Sequence, residues 1–386
     1  MSELVTAAAA MDDCPKRDRG GCKSELSFTS FRQVEKKYKL VQYSRREAKR
    51  NKAPETDFTD VVRFDDLEAN TEANKQLIHE VPLRTDEATG SNYKCYTFGG
   101  VPGLLIFPQV LTAEEQVELC RESILVYGDA SQHPNILSTH AKAPVQTHCY
   151  QPPMRWATLG FSYEWTNKTY HKDRYSTFPR LLKERMCFLM KLVEHVTQDS
   201  FSCMGSSGAG VGDGATAPLA ATYEPQTAIV NYYPVGSMMM CHQDVSEETM
   251  DRPLVSASLG CSAVFLMGTE SRDDAPYAFL LRSGDVAAFA GPSRRAFHAV
   301  PRILDDCPDY LTVPDEAITV EELAHFDNHC YYKNKTADGS IAPFVLEVMS
   351  KAERERYWRL CMRHLRVNIN ARQVYTEACP FLADVE

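Results

Sequence analysis

The chain has 386 residues, 44% of them apolar, with 42 Lys plus Arg against 52 Asp plus Glu and a formal net charge of −10. That composition is ample for a buried core, the acidic balance argues against a general affinity for nucleic acid, and no run of about 18 apolar residues is present to cross a membrane. Its 13 cysteines are scattered without a C-x-x-C pair, so neither a disulfide framework nor a zinc knuckle is indicated.

In chain order, residues 1 to about 27 are polar and aperiodic, without the basic flank and apolar middle of a secretory signal. The expectation is an intracellular monomer of the cytoplasm or nucleus, with mitochondrial import left open. Between Arg32 and Lys52 there are nine basic residues against two acidic ones, and Phe31, Val34, Tyr38 and Val41 recur at spacings of three and four. This predicts an amphipathic helix over about 31–52 with a cationic outer face, suited to nucleic acid or to a plain solvated or nuclear-import role. Residues 1–92 thus read as a partly disordered extension, and residues 93–386 as one strand-rich domain.

Thr112 and Glu115 form a capping-box pattern ahead of Val117, Cys120, Ile124 and Tyr127, a helix stopped by Gly128. Trp156 to Trp165 is dense in aromatic residues, including Phe161 and Tyr163, with Tyr170 and Tyr175 following and Arg155, Lys168, Lys172 and Arg174 interleaved. Such a segment suits base stacking, although core packing explains any single member as well. A second helix starts near Thr177 and Pro179, with Leu182, Met186, Leu189, Val193 and Val196 on one face. The Gly-rich stretch 203–220 fits no phosphate-loop pattern and reads as a flexible surface insertion.

Short strands follow at 226–233, 238–244, 254–260, 262–267, 278–282, 284–289, 295–300 and 366–374, punctuated by turn signals. They predict a mainly β fold with flanking helices around a double-stranded β-helix core, a jelly roll of the cupin type. An acidic insertion over 305–350 interrupts the run; Asp305 to His329 holds eight acids and no Lys or Arg. Ser350 and Glu353 then cap a helix bearing Trp358, Cys361 and Leu365 that leads into the last strand.

The chemistry concentrates in these strands. His242 and Asp244 are two apart, so on an extended strand both leave the same face. His298 would complete a two-histidine, one-carboxylate set. That set leaves coordination positions open and is typical of non-haem Fe(II) oxygenases, whereas structural zinc prefers four closed positions. In the last strand Arg366, Asn368, Asn370 and Arg372 alternate with Val367, Ile369 and Ala371, giving one polar face with a cation at each end. Such a face suits an anion in a lumen, and two long side chains leaning together would match a small dicarboxylate. Asn231 and Tyr233 share a face on an earlier strand and can add hydrogen bonds. Zinc-dependent hydrolysis is the main chemical rival, but it leaves the arginine-lined anion site unexplained.

Asn-x-Tyr at Asn231, His-x-Asp at His242, Ser-x-Ser-Leu-Gly at Ser256, Ser283-Gly284-Asp285, His298 and Arg-x-Asn-x-x-x-Arg at Arg366 stand in a fixed order. In that order and spacing the chain, over roughly 93–375, resembles the AlkB family of Fe(II)/2-oxoglutarate dioxygenases. Arg155-Trp156, Ser293-Arg294 and His298 to Arg302 look most like its homologue 1 branch. The resemblance implies Fe(II) held by His242, Asp244 and His298. It also implies 2-oxoglutarate with its distal carboxylate on Arg366, lined by Asn231, Tyr233, Asn368 and Arg372, and O2 as the second co-substrate. The implied reaction oxidises an N-methyl or C-methyl group on a base of methylated RNA, such as tRNA, or of DNA, presented flipped out or unpaired. Ser246, Ala278 and Phe161 stand where the bacterial enzyme has an acid, a substrate-contacting arginine and a phosphate-contacting tyrosine, so its substrate preference is not inherited. The alternative is the same oxygenase chemistry on a histone-type protein substrate, and a third reading is a non-catalytic binding module using the basic helix.

Overall fold

The computed structural model describes residues 28–40, 56–83, 93–127, 155–201, 223–320, 322 and 350–380. The expectations for residues 1–27, for the basic run beyond 40, for Gly128, for the Gly-rich stretch 203–220 and for 323–349 lie outside the described residues.

The elements in chain order are α1 (Ser30–Tyr38), β1 (Ile78–Val81), β2 (Cys95–Phe98), β3 (Leu104–Phe107), α2 (Ala113–Leu125), β4 (Trp156–Glu164), β5 (Thr169–Ser176), α3 (Arg180–Phe201) and β6 (Thr227–Pro234). There follow β7 (Met239–His242), β8 (Leu254–Gly260), β9 (Ala263–Met267), β10 (Tyr277–Leu281), β11 (Val286–Phe289), β12 (His298–Ile303), α4 (Lys351–Met362) and β13 (Leu365–Arg372). Both predicted capping boxes form: Thr112 accepts from the Glu115 N–H and Ser350 from the Glu353 N–H, and each glutamate returns the bond to the cap. Among the described residues no helix is long and apolar enough to cross a membrane.

The strands make a nine-stranded sheet in the order β1-β2-β3-β11-β8-β13-β6-β4-β5 and a four-stranded sheet in the order β10-β9-β12-β7. Strand pairing within both sheets is antiparallel. The two sheets face each other as a jelly-roll core, and side-chain alternation divides each strand between two layers. On β13, Val367, Ile369 and Ala371 enter the core that the large sheet shares with α2, α3 and α4, where Leu119, Met186, Val193 and the fully buried Trp358 meet them. On β9, Phe265 and Met267 point between the sheets while Val264 and Leu266 point outward beneath α1. A strand covered on both faces has no reason to alternate, which is why Ala263 to Met267 reads as a continuous apolar run.

Two features differ from the sequence expectation. Residues before 93 join the same fold: β1 extends the large sheet, Val62 and Phe64 pack between the sheets, and α1 covers the outer face of the small sheet. The first acids of the 305–350 stretch are matched by basic side chains of α4 and its C-terminal end, with Asp305 hydrogen-bonded to His364 at 2.6 Å, Asp315 paired with Arg363 at 3.1 Å and Glu322 with Arg356 at 2.7 Å. Their role here is to dock this segment against α4.

Gly260 sets the register beside β13. It holds φ at +76°, its N–H donates to Ser283 Oγ at 2.9 Å, and it lies opposite Arg366. A Cβ there would drive into the Leu365 carbonyl and Met362. Gly260→Ala is therefore expected to lower the unfolding free energy by about 1–3 kcal/mol, read as a lower denaturant midpoint at unchanged slope. An unchanged midpoint would contradict the strain.

Candidate active site

Between the sheets lies a cleft that opens to solvent. Its lining includes Asn231, Tyr233, His242, Asp244, His298, Arg366, Asn368, Asn370 and Arg372. The polar face of β13 thus points into the cleft along its whole length. Asn231 and Tyr233 come from β6, paired to β13 in the register Asn231 to Asn368 and Tyr233 to Arg366.

The three candidate metal ligands converge. His242, the last residue of β7, pairs with His298, the first of β12, and the ring centroids are 4.3 Å apart. Asp244 Oδ1 lies 3.7 Å from His242 Nε2, and one donor atom from each of the three residues falls within 4.8 Å of the others. Such spacing suits donors around one ion. The geometry has a different origin from the expected one, because β7 ends at His242 and Asp244 lies beyond the strand. What holds Asp244 is charge: Arg372 is 3.1 Å from its Oδ2, and Arg294 donates to its backbone carbonyl at 2.5 Å.

Proton positions at the histidines also favour a metal. The Met240 carbonyl lies 2.8 Å from His242 Nδ1, and the Ala296 carbonyl 3.2 Å from His298 Nδ1. A carbonyl only accepts, so each Nδ1 carries the proton and each Nε2 keeps its lone pair for a ligand. Burial, aided by the charge of His242, pushes His298 down to about 4, which leaves it a neutral imidazole at pH 7. Burial opposes ionisation of Asp244, yet Arg372 foremost among its neighbours holds the carboxyl well below its usual range. The donor set of two imidazoles and one carboxylate fits Fe(II).

The two arginines of β13 live under opposite conditions. Arg372, 3% exposed, pairs with Asp244 and with Glu247 at 3.0 Å. Glu247 is itself fully buried, pairs with Arg294 at 3.0 Å and accepts from the Tyr170 hydroxyl at 3.3 Å. Arg366, 2% exposed, forms no ion pair among the described residues. It donates to Ser258 Oγ at 2.8 Å and to the Leu281 carbonyl at 3.5 Å, and its Nε has no partner. Burial pushes it down to about 10, so it remains charged at pH 7. Burying a cation without an anion is costly. The cleft beside Arg366 is thus chemically suited to a carboxylate, and Tyr233, whose phenol burial keeps protonated, can donate to it. Asn368 donates to Ser256 Oγ at 2.9 Å and to the Ala257 carbonyl at 3.0 Å, which fixes its amide.

Of the aromatic run, Phe161, Tyr163 and Tyr170 are buried. Trp165, 38% exposed, is the one that lines the cleft, with its ring 5.3 Å from Trp156 and 5.0 Å from Tyr163. Ser246 donates to or accepts from the Tyr163 hydroxyl at 3.0 Å, Ala278 packs under α1, and Phe161 packs edge-on against Tyr175 and Tyr375. None of the three departures from the bacterial pattern lines the cleft. Glu247 was not singled out by the sequence, and Arg294 only as part of a motif. An acid three residues beyond Asp244 was the available signal, but its cations lie far away in the chain.

The description "2OG-Fe(II) oxygenase superfamily" belongs to a family model that matches residues 103–372. The chain is similar to the "DNA N(6)-methyladenine demethylase ALKBH1A" of Arabidopsis thaliana, 26% identical over 346 residues, which is 78% of this chain and 91% of that protein. It is 29% identical to the "tRNA demethylase abh1" of Schizosaccharomyces pombe over 254 residues, 58% of this chain and 76% of that one. With the "Nucleic acid dioxygenase ALKBH1" of Mus musculus it shares 28% identity over 356 residues, 85% of this chain and 77% of that one.

Because Arg294 and Glu247 are both buried, removing this cation leaves Glu247 with Arg372 as its remaining ion partner and takes a donor from the Asp244 carbonyl. Arg294→Ala is expected to destabilise the protein by about 3 kcal/mol, measured by denaturant unfolding. A loss below about 1 kcal/mol would mean that Arg294 does not hold Glu247.

Proposed function

The chain belongs to the 2OG-Fe(II) oxygenase superfamily and is an Fe(II)/2-oxoglutarate-dependent dioxygenase, and from that premise we propose that it oxidatively demethylates or hydroxylates methylated bases in nucleic acid. The observation that carries this reading is the buried, unpaired guanidinium of Arg366 in the same cleft as the open-faced set of His242, Asp244 and His298.

His242, Asp244 and His298 would hold Fe(II). Arg366 receives the distal carboxylate of 2-oxoglutarate, and Tyr233 and Asn231 complete that end of the cleft. Arg372 keeps Asp244 ionised and aimed at the metal rather than binding the co-substrate itself, because Asp244 and Glu247 already occupy its charge. Fe(II), when bound, would supply the O2 chemistry that couples decarboxylation of 2-oxoglutarate to hydroxylation of a C–H bond, with succinate and CO2 as the co-products. When the hydroxylated carbon is an N-methyl, the product breaks down to formaldehyde and the free base.

The base substrate is supported by the similar proteins, which are named as demethylases or dioxygenases of DNA, tRNA or nucleic acid. It is supported independently by Trp165, a partly exposed indole on the cleft wall held by two other rings. Such a face stacks on any base and is worth about 1–3 kcal/mol per base. The substrate base is unpaired or flipped out, because an enzyme acting on a base does not reach its target atom inside a duplex.

Incubation with Fe(II), 2-oxoglutarate and methylated tRNA or DNA oligonucleotides is expected to release succinate. His242→Ala abolishes that release. Arg366→Ala raises the 2-oxoglutarate KM by about 10–100-fold, the loss of one charged hydrogen-bonding partner. No succinate above background on any methylated nucleic acid, or turnover confined to histone peptides, would refute the proposal; an unchanged KM in Arg366→Ala would refute the assignment of Arg366.

A further inference from the structure

We propose that Glu35, on the N-terminal helix α1 and outside the matched family region, is a positioning residue for the metal site. The inference rests on His242, Asp244 and His298 holding the metal. Glu35 is 1% exposed. One of its carboxylate oxygens accepts the backbone N–H of Cys241 at 3.1 Å, and the other pairs with Arg32 on the same helix. Cys241 directly precedes His242.

The location explains why such a contact matters. β7 is only four residues long and, among the described residues, is the edge strand of the small sheet, paired on one side with β12. Its pairing with β12 shifts register between His298 and Val300. A short edge strand with an irregular ladder is weakly specified, yet its last residue has to meet His298 and Asp244 at a single ion. Glu35 gives the outer side of β7 the partner that a further strand would provide, and a charged acceptor makes a stronger bond than a neutral carbonyl.

α1 is itself fastened at several points. Its Phe31 N–H donates to the Arg272 carbonyl at 3.0 Å, Phe31 and Tyr38 are buried against Val264, Leu266, Ala278 and Ala299, and Lys37 pairs with Asp60 at 2.6 Å. Its two buried rings and Glu35 lie on the side facing the sheet, and Lys36 and Lys37 on the side facing solvent. The helix thus behaves as an added layer of the active site, although the polypeptide between it and the matched region is long.

The test uses the full chain. Mn(II) affinity, measured by titration in the presence of 2-oxoglutarate, is expected to fall about tenfold in Glu35→Ala, the low end of what loss of a ligand-supporting contact produces. Glu35→Gln, whose amide oxygen still accepts the Cys241 N–H, recovers most of it. In the metal-free protein, amide exchange at Cys241 and His242 speeds up in Glu35→Ala and not in Glu35→Gln. Phe31→Leu, which loosens the same helix without removing the carboxylate, keeps Mn(II) affinity within about twofold, well short of that tenfold fall. Equal Mn(II) affinity in wild type and Glu35→Ala, or an equal fall in Phe31→Leu, would overturn the role of Glu35. Failure of the wild type to take up Mn(II) would instead overturn the metal site on which it rests.

Discussion

Two guanidinium groups six residues apart on one strand occupy the same cleft, and buried charge has to be matched in both places. At the Arg372 end the match is internal. Asp244, Glu247, Arg372 and Arg294 form an alternating chain of anions and cations in which Asp244 is the member that faces the candidate metal position. At the Arg366 end the match is left open, with a serine hydroxyl, a carbonyl and no anion. This asymmetry turns a symmetric-looking strand into a directional site, with a metal at one end and a carboxylate at the other. Gly260, Ser258 and Ser283 serve it by fixing the backbone and the shorter of the two polar contacts that aim Arg366.

The layers around the cleft follow from the same requirement. A large sheet backed by three helices offers a stiff wall, so β6 and β13 can present polar side chains inward while Val230, Tyr232, Val367 and Ile369 anchor them from behind. The small sheet carries both histidines, has only four strands, and ends in β7. Among the described residues, the helix that packs on its outer face is α1. Metal-ligand precision therefore depends on a helix near the start of the chain.

Alternation made much of this readable in advance. Arg366 to Arg372 divides cleanly between the cleft and the core because one face meets polar chemistry and the other meets helices. The strand run from β6 to β12 was visible through turn signals such as Ser283-Gly284-Asp285, and the helix starts at Thr112 and Ser350 through their capping boxes. The triad was legible as a set, but the reason for its geometry was not. His242 and Asp244 were expected on one strand face, whereas the strand stops between them and distant cations complete the placement. Local periodicity carries no record of a partner more than a hundred residues away, so Glu247 with Arg372, and Glu35 with Cys241, emerge only when the chain is folded. The same holds for β1, and for the docking of α1: spacing at Phe31, Val34 and Tyr38 predicts the helix, which ends at Tyr38, but not the sheet it covers.

The most direct measurement is a crystal structure with Mn(II) and an unreactive dicarboxylate analogue of 2-oxoglutarate. The account predicts one ion ligated by His242, Asp244 and His298, the distal carboxylate of the analogue paired with Arg366, and Arg372 still bound to Asp244 and Glu247. A carboxylate seated on Arg372 with Arg366 left unpaired, or an ion held by other residues, would contradict it.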